Sequence, residues 1–507
     1  MAHAQLQVDR RGKTMRAGFA RIPRLRLALA GVVFITGCTT LAPQYERPEI
    51  DMPASFRFEP AAAAATADTE WWKQFGDPVL DELIATALAN NYSVEIAAAN
   101  VEQALGIVTQ TRSALYPQLG YGASGEELRS PDTGLTAAIP NFPNPQDTYQ
   151  AFLSASWELD LWGRIRNLSE AAQASMLATE EARRGVILTL VSSVADSYIS
   201  LRGLDEQLAV SKETLKAYGE FVRLYELQYK YGQSSLMTVV QAQSQYETAA
   251  TQIPQIESSI AQLENALSVL LGSNPGEIPR GKPISEMVAP VAPAGLPSTL
   301  LERRPDLLQA EQALIASNAQ IGAAKALYFP TISLTGALGS TSSSLSDLFE
   351  GSTRTWNYAG QVVGPIFTFG AVSGQVAQAE AAQRAALASY KLAVQNAFAD
   401  VDNAFVSNQK IGEQLDAQKR LVKALAEYER LARLQYDGGY VPYSTVLQAQ
   451  QALFPAELAL AALRASVLTT SADIYRAMGG GWINEADKMI GRAPPPVDEA
   501  DGPPPLF

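Results

Sequence analysis

Two stretches of this 507-residue chain, Arg164 to Lys230 and Ala371 to Asp437, each run about 67 residues without a proline. As α-helix each spans ~100 Å, at about 1.5 Å of rise per residue, which is longer than any compact domain is wide. Their Ala, Ser and Gln content, with Leu, Val and Tyr at spacings of three and four, suits helices packed closely together with one polar face. Each stretch stops at glycine, Gly232 in the first and Gly438 and Gly439 in the second, and a further helical pattern follows. One long helical hairpin per stretch is the expectation. The returning helices contain Pro254 and Pro455, where a kink is expected.

The hairpins close the two halves of an internal repeat. AANVEQALGIVTQTRSALYP, ending at Pro117, corresponds to AEQALIASNAQIGAAKALYFP, ending at Pro330, so a helix stops before proline at matching places. LQYKYGQSSLMTVVQAQ (Leu227 to Gln243) corresponds to LQYDGGYVPYSTVLQAQ (Leu434 to Gln450), with Tyr229/Tyr436 and Gly232/Gly439 in register. Between helix and hairpin each copy carries two alternating segments. In Tyr149 to Trp162, residues Tyr149, Ala151, Leu153, Ala155, Trp157, Leu159 and Leu161 share one face, and Gln150, Ser154, Ser156, Glu158 and Asp160 the other. A period of two over ~10 residues, with an aromatic near each end, suits a tilted bilayer-crossing strand that is apolar toward lipid and polar toward a lumen. Leu119/Tyr121/Ala123 and Ile332/Leu334/Gly336/Leu338 alternate likewise, whereas Gly360, Gly364 and Pro365 interrupt Trp356 to Thr368. The loops Ser130 to Pro145 and Ser340 to Thr355 are expected to face the cell exterior. Four strands cannot close a barrel, for which about eight is the minimum, so the pattern demands several copies of the chain without fixing how many.

Composition narrows the chemistry. With 52 acidic against 39 basic residues and a net charge of -13, the chain lacks the basic face that nucleic acid requires. Arg10, Arg11, Lys13, Arg16, Arg21, Arg24 and Arg26 all precede residue 38. They lead into the apolar run Leu27 to Ile35 and then Thr36-Gly37-Cys38, the pattern of a secretory signal over 1–37. The run is too short for a membrane helix, which needs roughly 17 to 25 residues. Met15 by itself opens a signal of ordinary length. His3, the single histidine, falls inside that segment, and Cys38 is the single cysteine. Disulfides, Cys/His zinc sites and His-dependent nucleophilic triads are thereby excluded from one mature chain, and no metal or cofactor site is read in it. Carboxylate or Ser/Lys chemistry stays formally open. The densest early acidic cluster, Asp77, Asp81 and Glu82, stands at a helix start, where negative charge is favourable on its own, and reads as capping.

Ile35-Thr36-Gly37-Cys38 resembles the bacterial lipobox, whose cysteine receives a diacylglycerol on sulfur and an N-acyl chain after cleavage. At ~0.8 kcal/mol per buried methylene, such chains suffice for stable anchoring. Thr39 stands where an aspartate would resemble an inner-membrane retention signal, which favours the outer membrane. Together with Tyr45-Glu-Arg-Pro48, Trp71-Trp-Lys-Gln-Phe-Gly-Asp-Pro78, Glu158-Leu-Asp-Leu-Trp-Gly-Arg164, Glu302-Arg-Arg-Pro-Asp306 and the Tyr-x-x-Gly tips, the chain resembles the TolC-like outer-membrane efflux factors. The match is closest to the lipoprotein branch serving resistance-nodulation-division (RND) pumps, over Cys38 to Gly480.

The resemblance implies a mixed α/β membrane protein of a Gram-negative bacterium. Four strands from each chain of a homotrimer would form a 12-stranded outer-membrane β-barrel, continued by a long α-helical coiled-coil tunnel across the periplasm. It implies a passive duct rather than an enzyme, carrying drug-like or toxic small molecules, with a periplasmic adaptor protein and an inner-membrane RND transporter as partners. The expected order is signal peptide 1–37, lipid-anchored segment 38–70, first repeat 71–272, linker 273–302, second repeat 303–480 and a proline-rich acidic tail 481–507. Type I polypeptide secretion would use the same architecture, but the lipobox and the Glu-Arg-Arg-Pro-Asp motif favour efflux. A surface adhesin or structural coiled-coil lipoprotein has no reason to carry strand pairs at matching places in both copies. The tips bearing Tyr231, Gly232, Gly438 and Gly439 are the expected adaptor contacts. The family's gate lies on the helix returning from the second tip, where carboxylates often stand six and nine residues beyond the glycine equivalent to Gly439. Here those positions are Thr445 and Gln448, with Thr238 and Gln241 as their counterparts in the first copy. An uncharged amide aperture is expected from Thr445 and Gln448, and seam packing from Gln241.

Overall fold

The computed structural model describes residues 41–53, 55–58, 70–131, 133, 143–291, 300–479 and 482–483. Cys38, the expected signal segment 1–37 and the expected tail beyond residue 483 lie outside them. A short helical turn at Trp71–Phe75 precedes α1 (Pro78–Asn90). The first copy then runs α2 (Tyr92–Ser113), β1 (Gln118–Leu128), β2 (Gln146–Leu159), α3 (Arg164–Lys230) and α4 (Leu236–Leu270). The second runs α5 (Pro305–Ala326), β3 (Thr331–Ser342), β4 (Arg354–Val363), α6 (Ala371–Asp437) and α7 (Tyr443–Ala477). Equivalent helices have equal lengths: 22 residues for α2 and α5, 67 for α3 and α6, and 35 for α4 and α7. The repeat read from the sequence therefore extends to the boundaries of these three helix pairs, while α1 has no equal in the second copy. Helices α4 and α7 continue through Pro254 and Pro455.

Local chemistry sets the boundaries. Asn91 begins α2 by accepting from the N–H groups of Ser93 (2.8 Å) and Val94 (3.3 Å). Pro305 occupies the first turn of α5, where its missing N–H costs nothing. The second strand stops at Leu159 rather than at Trp162, because the Asp160 carboxylate turns to accept from the Ile165 and Arg166 N–H groups at 3.1 and 2.9 Å and starts α3. The fourth stops at Val363 rather than at Thr368, just before Gly364 and Pro365.

The four strands form one antiparallel sheet in the order β1-β2-β3-β4. Its register places Leu119 opposite Ala155, Tyr121 opposite Leu153, Leu338 opposite Leu153, Leu334 opposite Trp157, and Trp356 opposite Leu338. The apolar residues of all four strands thus stand on one face, with Ser124, Gln150, Ser154, Glu158, Ser333 and Gln361 on the other. Phe152, Leu128 and Val363 are the large apolar exceptions on that polar face. Leu119, Tyr121, Leu153, Trp356 and Tyr358 are exposed, so the apolar face is not covered by the chain's own helices. Among the described residues, β1 and β4 are free edges.

Among the described residues the buried clusters are built mainly from the helices. Central α3 packs against α1, α2, α4, α5 and α7, and α6 packs against α5 and α7. One cluster gathers Trp71, Trp72, Phe75, Tyr198, Tyr475 and Trp482, with Trp71 stacked on Tyr475 at 5.4 Å. A second joins Tyr390, Val394, Phe405 and Ile474 to Phe56 of the N-terminal segment. Tyr45 and Arg47 of that segment hydrogen-bond Glu311 of α5, at 3.0 Å for the phenol and 2.8 and 2.5 Å for the guanidinium.

Candidate functional site

The two hairpin tips are built by one backbone device. After α3, the Gly232 N–H donates to Tyr229 O (2.9 Å) and the Gln233 N–H to Gln228 O (2.8 Å). After α6, Gly439 and Tyr440 repeat this on Tyr436 O (2.9 Å) and Gln435 O (2.8 Å). Gly232 and Gly439 carry it at φ 72° and 77°, a left-handed conformation that favours glycine. Gly438 was expected to serve the reversal in the same way and does not: its φ is -79°, open to any residue. A Cβ there would lie 2.8 Å from the Tyr440 ring, which is exposed and would have to turn aside. Tyr231 occupies the equivalent position in the first tip, and both Tyr231 and Tyr440 are exposed.

Just inside the tips, four helices share an aromatic cluster. Tyr225 of α3 lies 4.6 Å from Tyr443 of α7 and 6.0 Å from Tyr436 of α6, and Tyr436 and Tyr443 are 5.5 Å apart. Val239 and Ala242 of α4 pack against it. Burial pushes the Tyr443 hydroxyl up to about 12 and those of Tyr225 and Tyr436 upward as well, so the cluster stays neutral in the physiological range. Thr445 lies one residue before Val446 of this cluster and is half-buried, its N–H donating to Pro442 O at 3.0 Å. Gln448 is exposed. Thr238 and Gln241 are each half-buried. Sequence reasoning missed the tyrosines, although the repeated Tyr229/Tyr436 register was its signal, and it missed Gln450. That amide is buried among the hairpins and donates to Glu429 at 3.5 Å.

The recognition motifs sit at joints. Arg164 chelates Glu158 through two bonds of 2.9 Å where β2 meets α3. Trp162 stacks on Phe329 at 4.6 Å and donates Nε1–H to Pro330 O at 2.8 Å, tying the end of β2 to the start of β3. Arg304 donates to Ala477 O (3.0 Å), Asp306 (2.8 Å) and Asp400 (2.9 Å), joining the start of α5 to the end of α7. Asp77 does cap α1, accepting from the Val79 N–H at 3.0 Å, but its other oxygen accepts from Tyr198 Oη (2.8 Å) and the Lys282 N–H (3.0 Å). One buried carboxylate thus fixes a helix start and clamps the linker. Burial, reinforced by Asp473, also pushes the Asp196 carboxyl on α3 up to about 7, with Arg476 opposing the shift.

A sheet with one apolar and one polar face, free at both edges and leading into two long hairpins, defines one protomer of an outer-membrane channel. The model of the outer membrane efflux proteins matches residues 83–273 and 296–480. The chain is 36% identical over 474 residues to the probable efflux pump outer membrane protein TtgC of Pseudomonas putida, covering 90% of this chain and 96% of that one. It is 36% identical over 457 residues to the cation efflux system protein CusC of Escherichia coli, with 88% and 96% covered. With the probable outer membrane lipoprotein SilC of Salmonella typhimurium it shares 35% over 463 residues, with 90% and 98% covered. The open-state MtrE outer membrane channel of Neisseria gonorrhoeae superposes with a TM-score of 0.80 at 32% identity, over 88% of this chain and 99% of that one. The chain belongs to the outer membrane efflux protein family, and its fold is that of the TolC-like outer-membrane channels. It is an efflux channel of the outer membrane, a transport component by family and by fold.

Proposed function

We propose that three copies of this chain, each anchored by a diacylglycerol and an N-acyl chain on Cys38, close a 12-stranded barrel whose helical hairpins carry small molecules across the periplasm. The polar strand face lines the lumen and the apolar face meets lipid. The tips around Tyr231, Gly232, Gly438 and Gly439 contact a periplasmic adaptor, which joins the duct to an inner-membrane RND transporter. Thr445 and Gln448 line an uncharged aperture at that end. The observation that carries this reading is the four-stranded sheet, apolar on one face, polar on the other and unpaired at both edges. The name of SilC supports the lipid anchor. The names TtgC and CusC, one an efflux pump component and one a cation efflux protein, leave the cargo to be found by transport assays.

The test is single-channel recording of the purified protein in planar bilayers. An aperture of amides has no net charge to concentrate cations, so the unmodified channel should show little block by multivalent cations, and Gln448→Asp should introduce it. Strong block of the unmodified channel from its helical end, unchanged by that substitution, would place entry control on other carboxylates such as Asp437.

A further inference from the structure

Between the two hairpins lies a groove of about 420 Å³, within the size range of small-molecule sites. Its floor is α7 and its walls are α3 and α6, both of which pack on α7. A contact across the groove closes each end. Toward the tips, the Arg433 guanidinium of α6 lies 4.4 Å from the centre of the Phe221 ring of α3, and away from them Arg464 of α7 pairs with Glu206 of α3. Between these ends stand three further carboxylates, Glu213, Glu429 and Glu457, and the lining holds no other basic residue. The acceptors fall into two sets. Gln450 is 2% exposed, and its Nε2 donates to Glu429 at 3.5 Å, which leaves Oε1 shielded from solvent and without a donor. A buried acceptor left in this state costs free energy that an incoming donor would recover. Seven residues along α7 from Gln450, about 10 Å at 1.5 Å per residue, stands half-buried Glu457. Burial raises the Glu457 carboxyl above the usual carboxylate range, and repulsion from Glu213 and Glu429 adds to the shift. Among the described residues no basic side chain pairs with Glu457 or Glu213. Leu453 and Phe454 lie between the two sets and make the middle of the floor apolar.

We propose that this groove binds a linear organic dication, an aliphatic diamine or polyamine whose amines stand about 10 Å apart, the span of seven helical residues. One ammonium is held by Gln450 Oε1 and Glu429, the other by Glu457 and Glu213, and the methylenes between them cover Leu453 and Phe454. The chemistry follows from what the groove lacks. Its two guanidiniums are engaged at its ends, so it offers acceptors and negative charge and is short of donors. An anion would meet three uncompensated carboxylates. A metal ion needs several oxygens converging on one point, and no group of three or more carboxylates among the described residues does so. Every residue of the groove comes from one chain and none from the aperture at Thr445 and Gln448, so the inference depends neither on the number of copies nor on the placement of the gate.

Isothermal titration calorimetry of the purified full-length protein, in detergent at low salt, tests the groove with terminal diaminooctane as the probe. One site per chain is expected, at least about tenfold tighter than for octylamine, which has a single amine, or for diaminobutane, whose amines cannot reach both sets of acceptors. Glu457→Gln and Glu213→Gln should each weaken the diamine roughly tenfold, since each removes the charge from a hydrogen-bonded pair. Gln450→Met keeps the length of the side chain and removes the unpaired oxygen, so it should weaken binding without lowering the melting temperature. A lower melting temperature with unchanged affinity would make Gln450 a packing residue and overturn the assignment. Glu427→Gln removes one charge from the exposed side of α6, outside the groove, and should leave the affinity unchanged. Octylamine binding as tightly as the diamine, equal losses in Glu427→Gln and Glu457→Gln, or no saturable binding would each overturn the proposal.

Discussion

Asp77→Ser separates capping from clamping. Serine is about as good an N-cap as aspartate, so a residue that only caps α1 would lose a few tenths of a kcal/mol on this exchange. In the structure the same carboxylate also accepts from Tyr198 Oη at 2.8 Å and the Lys282 N–H at 3.0 Å, and Asp77 and Tyr198 are both fully buried. The shorter side chain leaves two donors without an acceptor, at about 1–3 kcal/mol each, or ~2–6 kcal/mol together. Tyr198 Oη in turn accepts from the Gly281 N–H at 2.9 Å, so this cost falls on opening of the linker around the Arg280–Gly281 bond. At about 1.4 kcal/mol per tenfold, the open population should rise at least roughly thirtyfold. Trypsin cleaves after Arg280, and where opening is fast relative to cleavage the rate reports that population. Native trypsin digestion with the new terminus at Gly281 should therefore accelerate at least roughly thirtyfold in Asp77→Ser at unchanged trimer yield. Cleavage within about threefold of the unmodified protein would mean that the carboxylate contributes no more than a cap.

The folded-state pKa of Asp196, about 7, lies above the ordinary 3.8, so folding takes up a proton between these values and stability falls as pH rises through them. Asp196→Asn should raise the melting temperature at pH 8, by a few kcal/mol equivalent at about 1.4 kcal/mol per unit, and leave it unchanged near pH 3; equal shifts at both would contradict the burial argument. Gly439→Val should abolish export with folded trimer retained, because nothing lies within 4 Å of an added Cβ and the cost is the ~1–2 kcal/mol of a left-handed backbone. Gly439→Asn, which tolerates that conformation, should keep most export in a drug-susceptibility assay, and an Asn variant as inactive as the Val one would refute the backbone explanation. Cys38→Ser should lower outer-membrane abundance, while intact mass of the unmodified protein should start at an acylated Cys38; an unmodified amino terminus upstream of it would end the lipoprotein assignment.

Much of this protein is legible in its sequence because its order is local and repeated. Proline spacing fixed the 67-residue helices, glycine at Gly232 and Gly439 marked both reversals, and the period of two in Tyr149, Ala151, Leu153, Ala155 and Trp157 assigned a face before any partner strand was known. Strand ends were less legible. Asp160 continues the alternation of β2, yet its side chain finds better partners in the unsatisfied N–H groups of α3. Contacts between residues far apart in the chain left no periodic trace. The clamp of Asp77 on Tyr198 and Lys282, the anchoring of Tyr45 and Arg47 on Glu311, and the tyrosines that tie both hairpins together join segments separated by about 120 to 270 residues. By itself the sequence determined the repeat, the helix lengths, the two-faced strands and the need for further copies, since each follows from backbone chemistry acting within a few residues. Which side chains lock those elements together was decided only in the tertiary structure, because a buried polar group is satisfied by whatever donor or acceptor the packing brings to it.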